Sequence, residues 1–272
     1  MKDNYLINGS NVLGLDPFYR GLAFGDGIFR TFKIIDGKPL HWAYHFQKLS
    51  YDCKKLNIKL PKEELLLDDI KALFTKTSGI FIAKWIITRG SSDRGYSIPK
   101  NIEPNRILLK NKFTPLPQSL YLKGVNLEFS AKKSSSLLQL GATKHLNRLE
   151  NVLAKQAVNP TSFDAIMFDE NDHVNECTSH NILALFGKKI HMPKHNHAGV
   201  SGVSRQIIID HAKSLGYSTT ECNLSKDQLL KANEIVIINS VNGALPVKQI
   251  KNKKWNSLNL AYELNQLFKK IK

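Results

Sequence analysis

Cysteine is scarce in this sequence. The 272 residues include three cysteines, Cys53, Cys177 and Cys222, and no two of them stand in a Cys-x-x-Cys spacing. An odd number of widely separated cysteines argues against a disulfide-bonded scaffold and provides no ligand set for a zinc ribbon. We therefore expect a protein of a reducing compartment that binds no metal. The chain is long enough to bury a hydrophobic core.

Long apolar runs are missing as well. The first nine residues, Met1 to Gly9, contain no apolar stretch of signal-peptide length. No later run approaches the roughly 20 residues that a membrane-spanning helix needs. The chain also lacks internal repeats and low-complexity tracts. We expect a cytoplasmic protein that makes no membrane contact.

Acidic residues are few relative to basic ones. The chain has 39 Lys and Arg against 23 Asp and Glu, which gives a formal net charge of +16. This balance is compatible with a nucleic-acid partner, an anionic lipid surface or an anionic small substrate. The lysines are scattered and no arginine–aromatic ribonucleoprotein motif is present, so we interpret most of the charge as solvated surface. We expect a small-molecule substrate and no nucleic acid; a basic nucleic-acid-binding protein without catalysis is the alternative from another class.

What the sequence does contain is a regular succession of predicted strands and helices. Short apolar or alternating segments predict strands over residues 80–88, 106–111, 125–129, 165–168, 181–186 and 234–239. Apolar residues at helical spacing predict helices over residues 42–56, 63–77, 204–215 and 258–268. Asn8-Gly9 and Asp36-Gly37 predict hairpin turns, the first with residues 11–13 as its second arm. The predicted fold class is α+β, that is, mixed α/β.

Two prolines in a polar context, Pro115 and Pro117, follow a complete small α+β pattern and mark a candidate linker. We predict a small N-terminal α/β domain over residues 1–113 and an interdomain linker over residues 114–120. A larger C-terminal α/β domain, over residues 121–272, would carry the lysine described next.

Lys144 stands at the predicted start of a helix. The apolar residues that follow it recur at helical spacing: Leu146, Leu149, Val152 and Leu153. Thr143 belongs to the residue types favoured at a helix N-cap. The partial positive charge of a helix N-terminus disfavours the protonated amine, and the neutral amine is the form that attacks a carbonyl. The alternative is an ordinary exposed lysine, one of many in a basic chain.

A glycine-rich segment leads directly into the helix predicted over residues 204–215. It reads Gly199-Val200-Ser201-Gly202-Val203-Ser204-Arg205. Such an entry presents free backbone N–H groups and a favourable dipole to an anion, above all a phosphate. The segment is neither a Walker loop nor a dinucleotide fingerprint, so a generic helix entry is the alternative.

Three further polar segments are candidates for a site. Glu176 occupies a polar loop predicted between two strands, where it would either serve chemistry or cap a turn. Residues 239–243 form a polar tip directly after a buried strand. Arg89, Arg94 and Tyr96 belong to a glycine- and serine-rich loop whose arginines are suited to a carboxylate.

A pyridoxal phosphate enzyme requires a reactive lysine, an acid, a phosphate-binding segment and a group that binds the substrate carboxylate. The segments described above offer a candidate for each of these. At these residues the sequence resembles the fold-type IV pyridoxal phosphate enzymes, whose members include branched-chain aminotransferases, D-amino acid aminotransferases and aminodeoxychorismate lyases. The resemblance covers nearly the whole chain, and the motifs occur in the family's order: Phe24–Gly27, Lys144–Glu150, Glu176, Gly202–Arg205 and Ser240. It implies a two-domain fold like that of D-amino acid aminotransferase, and a homodimer.

The resemblance also implies roles for individual residues. Lys144 would bind pyridoxal 5'-phosphate and act as catalytic base. Thr31 would donate a proton to the departing oxygen, with a water molecule as the alternative donor. The residues implied to bind the cofactor are Lys144, Glu176, Lys48, Val203, Ser204 and Ser240. The residues implied to bind the substrate are Arg94, Asn239, Phe29 and Tyr96. Lys48 departs from the family, because a phosphate-binding arginine is usual at its position, and a lysine lacks the bidentate fork.

Within the family, the segments Lys144–Glu150 and Arg89–Tyr96 are most similar to those of the aminodeoxychorismate lyases. This likeness implies conversion of 4-amino-4-deoxychorismate to 4-aminobenzoate and pyruvate, a step of folate biosynthesis that needs no keto acid. A D-amino acid or branched-chain aminotransferase of the same fold is the alternative within the family.

Overall fold

A computed structural model describes residues 4–11, 14, 16–75, 77–135 and 139–271. The chain forms two compact units. The first consists of Met1–Thr114 together with Thr143–Asn147, and the second of Pro115–Ala142 together with Arg148–Ile271. Within the described ranges, no helix is both long enough and apolar enough to span a bilayer.

The first unit contains a five-stranded antiparallel sheet in the order β1-β5-β4-β2-β3. Its strands are β1 (Tyr5–Ile7), β2 (Gly27–Ile35), β3 (Lys38–Pro39), β4 (Ile80–Thr88) and β5 (Asn105–Lys112). Its helices are α1 (Arg20–Phe24), α2 (Trp42–Lys55) and α3 (Glu63–Phe74).

One face of this sheet forms the core of the first unit. Because side chains alternate along a strand, β2 buries Ile28, Phe32 and Ile34 in a cluster that also includes Leu49 of α2 and Leu66 of α3. The opposite face of β2 remains half-buried. It carries two of the candidate site residues, Phe29 and Thr31.

The second unit contains a mixed ten-stranded sheet in the order β11-β10-β9-β13-β14-β6-β7-β8-β12, with β15 paired to β14. Its strands are β6 (Val125–Phe129), β7 (Asp164–Phe168), β8 (His173–Cys177), β9 (Asn181–Phe186), β10 (Lys189–Pro193), β11 (Ser218–Cys222), β12 (Leu224–Ser225), β13 (Glu234–Asn239), β14 (Gly243–Ile250) and β15 (Lys253–Lys254). Its helices are α4 (Gln118–Lys123), α5 (Leu149–Gln156), α6 (Val203–His211), α7 (Lys226–Leu230) and α8 (Asn259–Lys270). The apolar residues of β9 and β13 are largely buried, as expected for central strands.

The mixed α/β class is confirmed, and the predicted strands and main helices are present. Three details differ. The helix predicted over residues 63–77 ends at Phe74. The helix predicted over residues 204–215 ends at His211, and the chain continues as a 3-10 turn. Helix α4 begins inside the predicted linker, at Gln118. Asn8 and Gly9 have the positive φ angles of a tight hairpin turn. Val12 and Leu13, in the predicted second arm, lie outside the described residues.

The prediction of a helix beginning at Lys144 is wrong. Helix α5 begins at Leu149, and Thr143 is therefore not its N-cap. Lys144 instead lies in an extended segment along β2: Phe29 N–H donates to Lys144 O at 3.0 Å, and Leu146 N–H donates to Gly27 O at 2.9 Å. Strand β3 pairs only with the far end of β2, so the near end is open to this segment. Tertiary pairing thus overrides the local helical pattern.

This pairing also explains why Thr143–Asn147 belongs to the first unit, whereas the sequence assigned the lysine to the domain over residues 121–272. The apolar stripe that predicted the longer helix remains exposed on α5. Leu149 is 68% exposed and Val152 is 59% exposed.

Asp164, the first residue of β7, anchors the connection between β8 and β9. Its fully buried carboxylate accepts from Thr178 N–H at 3.1 Å and from Ser179 Oγ at 2.9 Å, and it lies 2.8 Å from His180 Nδ1. Burial raises the pKa of this carboxyl. The hydrogen bond and charge of His180, together with the Thr178 hydrogen bond, outweigh that effect and lower the pKa to about 2.

Substitution Asp164→Asn is expected to lower the free energy of unfolding by about 2 kcal/mol at pH 7. The folded-state pKa of about 2 lies below the ordinary value of 3.8, so the ionised carboxylate stabilises the fold above pH 3.8. That stabilisation is lost as the pH falls through about 2. Urea unfolding of both proteins at pH 7 and at lower pH measures the difference. A difference that stays constant as the pH falls toward 2 would show that the carboxylate charge is not the cause.

Candidate active site

In the first unit, Lys144 lies beside the half-buried face of the sheet. Its Nζ atom is 4.5 Å from the centre of the Phe29 ring. Lys84 Nζ lies 5.0 Å from the centre of the same ring, and Lys84 is the β4 partner of Thr31 in the strand register. The first unit therefore brings Lys144, Phe29 and Thr31 together with a second lysine.

Sequence reasoning missed Lys84. A signal was present, because Lys84 is the one charged residue of the otherwise apolar strand Ile80–Thr88. A lysine inside such a strand loses hydration unless it lies at an edge or faces an anion. This observation makes Lys84 a candidate for holding a substrate carboxylate.

Lys48 lies on α2, and its ammonium pairs with Asp52 one turn later. The Asp52 carboxylate is fully buried and also pairs with Arg30 of β2. Its Oδ2 atom accepts a hydrogen bond from Lys144 N–H at 3.3 Å. The candidate lysine and the candidate phosphate-binding residue are thus linked through one carboxylate.

In the loop over residues 89–96, only one of the two arginines is exposed as a carboxylate-binding residue would need to be. Arg89 is not available as a carboxylate fork, since it is buried and bonded to Asp26 and to the carbonyls of Leu56 and Asn57. Arg94 is exposed. Tyr96 is 83% exposed, and its ring centre lies 5.3 Å from that of Phe24.

Arg20 holds this loop in place. The buried guanidinium pairs with Asp26 at 2.9 Å and donates to Ser92 Oγ and to the carbonyl oxygens of Gly95, Tyr96 and Ser97. One side chain thereby fixes the backbone that follows Arg94 and holds the Ser92 side chain that precedes it. No sequence pattern indicated this role, because the contacts span more than 70 residues.

Substitution Arg20→Gln is expected to loosen the loop while leaving the rest of the unit folded, because Asp26 keeps its pair with Arg89. Limited trypsin digestion should then cleave after Arg94 about tenfold faster than in the wild-type protein. Mass spectrometry of the fragments identifies the cut. Equal cleavage rates in both proteins would contradict the role of Arg20 in holding the loop. Arg106→Gln serves as the control, because it removes another arginine whose ion pair with an aspartate is largely buried.

In the second unit, Glu176 lies within β8 and not in a polar loop, so the sequence prediction of a loop is wrong at this position. The pairing of Met167 with Glu176 extends the β7–β8 ladder further than the polar sequence suggested. Glu176 is buried, and Val200 N–H donates to its Oε2 atom at 2.9 Å. Burial lowers the pKa of the Arg148 guanidinium, and the negative charge of Glu176 opposes that shift. The buried carboxylate therefore has a donor and a nearby cation.

Val203 and Ser204 are the first two residues of α6. The preceding turn is held by Asn181 of β9, which accepts from Gly202 N–H at 3.1 Å and donates to Val200 O at 2.7 Å. A Cβ atom at Gly202 would lie 2.3 Å from Asn181 Oδ1, so a side chain at this position would displace Asn181. Because Val200 also donates to Glu176, the helix entry and the acid are part of one network. The helix N-terminus there favours an anion.

Asn239 and Ser240 lie at the turn between β13 and β14. Asn239 Oδ1 accepts from Val241 N–H at 3.0 Å and from Asn242 N–H at 2.6 Å, so this oxygen stabilises the turn itself. The Asn239 amide donates to Ser179 O at 3.3 Å. Ser240 is half-buried. Across the described residues, no group of three His, Cys, Asp or Glu side chains is arranged to hold a metal ion.

Comparison with known proteins identifies the family. The sequence model of the family described as amino-transferase class IV matches residues 27–250. Aminodeoxychorismate lyase of Vibrio harveyi is 31% identical over 248 residues, which cover 90% of this chain and 91% of that protein. Aminodeoxychorismate lyase of Bacillus subtilis strain 168 is 27% identical, over 89% of this chain and 84% of that protein.

The fold expected from the sequence resemblance is confirmed by a solved structure. The crystal structure of 4-amino-4-deoxychorismate lyase from Pseudomonas aeruginosa has a TM-score of 0.92 at 28% identity, and the match covers 98% of both chains. The family model spans most of the sequence, and a relative above 30% identity is matched almost end to end. The chain belongs to the class IV amino-transferase family.

Proposed function

We propose that this protein is a pyridoxal phosphate-dependent lyase that converts 4-amino-4-deoxychorismate to 4-aminobenzoate and pyruvate. The observation that carries the proposal is the nearly complete match, in sequence and in fold, to proteins named for this activity. The reaction belongs to folate biosynthesis. It splits one substrate and requires no second amino-group acceptor, which distinguishes it from transamination.

The residues present fit pyridoxal phosphate. Lys144 supplies an amine for the cofactor aldehyde, and Glu176 supplies a buried carboxylate for the pyridine nitrogen. The start of α6, with Val203 and Ser204, and the ammonium of Lys48 suit a phosphate group, to which we also assign Ser240. When bound, the cofactor provides the electron sink that makes the substrate Cα–H bond acidic.

The proposal assigns the proton transfers to the protein. Lys144 removes the Cα proton as general base, and Thr31 donates a proton to the oxygen of the departing enolpyruvyl group. Thr31 is the strand partner of Lys84 on the half-buried sheet face, so the neighbouring strand supplies a cation that would favour developing negative charge.

The substrate carries two carboxylates, and the chain offers several groups for them. We assign them to Lys84 and Arg94, with the Asn239 amide as a further donor and the Phe29 and Tyr96 rings as apolar contacts. Lys84 is supported by its distance of 5.0 Å from the Phe29 ring, next to the catalytic lysine.

We further propose that the enzyme is a cytoplasmic homodimer without a nucleic-acid partner. The exposed apolar residues of α5, Leu149, Val152 and Leu153, are the kind of surface that a second subunit covers. Light scattering on the purified protein measures the mass. A monomer, or a salt-sensitive shift of labelled nucleic acid, would contradict this part of the proposal.

The decisive assay is pyruvate release from 4-amino-4-deoxychorismate without added keto acid. The purified protein should be yellow, and 4-aminobenzoate and pyruvate should form in equal amounts. Turnover only in the presence of a keto acid would favour a D-amino acid or branched-chain aminotransferase. A protein that does not take up pyridoxal phosphate would overturn the proposed cofactor.

A further inference from the structure

Asp52 occupies an unusual position in the first unit. It lies in the third turn of α2, and its side chain is 0% exposed. Oδ1 accepts from Lys48 Nζ, and Oδ2 pairs with Arg30 and accepts from the backbone N–H of Lys144. Three segments that are distant in sequence therefore meet at one buried carboxylate: α2, β2 and the extended segment of the lysine.

The contact with Lys144 completes the attachment of that residue. Lys144 O is held by Phe29 N–H of β2, and Lys144 N–H is held by Asp52. Both backbone polar groups of the lysine are thus fixed, which limits the directions that its side chain can take. Of the two attachments, the one to Asp52 is made by a side chain and is therefore open to substitution.

Two basic side chains meet at Asp52. Arg30 and Lys48 both pair with its carboxylate, and all three side chains are largely buried. Burial, with the charges of Arg30 and His41, lowers the pKa of His45 well below 6.5. The pairing with Asp52 offsets the cost of burying the two cations, and it fixes the Lys48 ammonium at the end of a flexible side chain.

We propose that Asp52 is a positioning residue for cofactor binding: it holds the Lys144 backbone for reaction with the cofactor aldehyde and orients the Lys48 ammonium toward the cofactor phosphate. The inference rests on the proposed function, since it concerns the same cofactor. It assigns a role to a residue that has no part in the proton transfers. It also gives a reason why a lysine suffices at position 48, because Asp52 restricts an otherwise flexible ammonium.

The test compares Asp52→Asn with a matched control. Asp69 is also a buried aspartate of the first unit, on α3, and it pairs with Arg106 away from Lys144. The full-length proteins are freed of cofactor and titrated with pyridoxal phosphate by absorbance, and the adduct at Lys144 is trapped with borohydride and quantified by mass spectrometry. We expect Asp52→Asn to weaken binding by about tenfold or more and to slow trapping, and Asp69→Asn to leave both unchanged.

A second probe, pyridoxal, separates the two parts of the proposal, which are the positioning of Lys144 and the positioning of Lys48. Pyridoxal lacks the phosphate, so its reaction with Lys144 reports the lysine alone. Lys48→Met should weaken pyridoxal phosphate binding and leave the reaction with pyridoxal unchanged, whereas Asp52→Asn should impair both. If Asp52→Asn lowers stability and nothing else, as Asp69→Asn would, the positioning role is overturned.

A measurement on the unaltered protein does not depend on how the variants fold. Hydrogen exchange should show the Lys144 amide protected to the same degree as the neighbouring Leu146 amide; rapid exchange at Lys144 would overturn the proposal. If the wild-type protein takes up no pyridoxal phosphate, the proposed function fails. If it does and Asp52→Asn binds equally well, the inference alone fails.

Discussion

Replacement of Lys144 by alanine is expected to reduce keto-acid-free pyruvate release by on the order of 10⁴-fold. The side chain has two assigned tasks, the covalent bond to the cofactor aldehyde and removal of the Cα proton, and alanine performs neither. The fold should survive, because the segment is attached to β2 through backbone hydrogen bonds of Lys144 and Leu146 that alanine retains. The variant should therefore be folded, almost inactive, and unable to retain a pyridoxyl label after borohydride reduction.

Lys132→Ala is the control for this prediction. Lys132 is an exposed lysine of the same basic chain, and its removal changes the net charge equally. The control should keep wild-type activity and a label that maps to the peptide with Lys144. Substantial activity in Lys144→Ala, or a label on another lysine, would show that the reactive amine has been misassigned.

The fold was largely predictable because its strands and helices are stabilised by local patterns that agree with tertiary packing. The apolar run of β13, predicted over residues 234–239, is buried as such a run requires, and the turn at Asn8-Gly9 follows from residue types that accept positive φ. The start of α5 was not predictable in this way. The residues Lys144–Leu146, which the helical spacing assigned to the helix, pair instead with the open end of β2, and no local pattern contains that pairing.

The same distinction between local pattern and long-range contact applies to the residues of the candidate site. Lys144, Glu176 and Ser204 were predicted as site residues because each stands in a short motif. The residues that hold them were missed, because their partners come from elsewhere in the chain. Asp52 contacts the lysine segment 92 residues later, and Arg20 bonds to the carbonyl of Tyr96 76 residues later. Positioning contacts of this kind become visible only when the fold brings the segments together.

Substitution Glu176→Gln is expected to reduce pyruvate release by about 10²- to 10³-fold, with the fold retained. The amide is almost the same size as the carboxylate and still offers an oxygen to Val200 N–H, so the link to the α6 entry should persist. What it lacks is the negative charge that, in the proposed function, would keep the pyridine nitrogen protonated. Without that charge the bound cofactor would withdraw electrons less well, and the Cα proton would be less acidic.

The matched control is Glu234→Gln. Glu234 is likewise a buried glutamate on a strand of the second unit, and it accepts from Ser257 Oγ and from Leu260 N–H, so its loss tests stability without touching the assigned site. We expect it to lower the melting temperature and leave the turnover of the folded protein unchanged. Glu176→Gln should show the reverse, with a shifted absorbance band of the bound cofactor. If both variants lose activity only in proportion to their unfolded fraction, the buried carboxylate of Glu176 serves stability and not the chemistry.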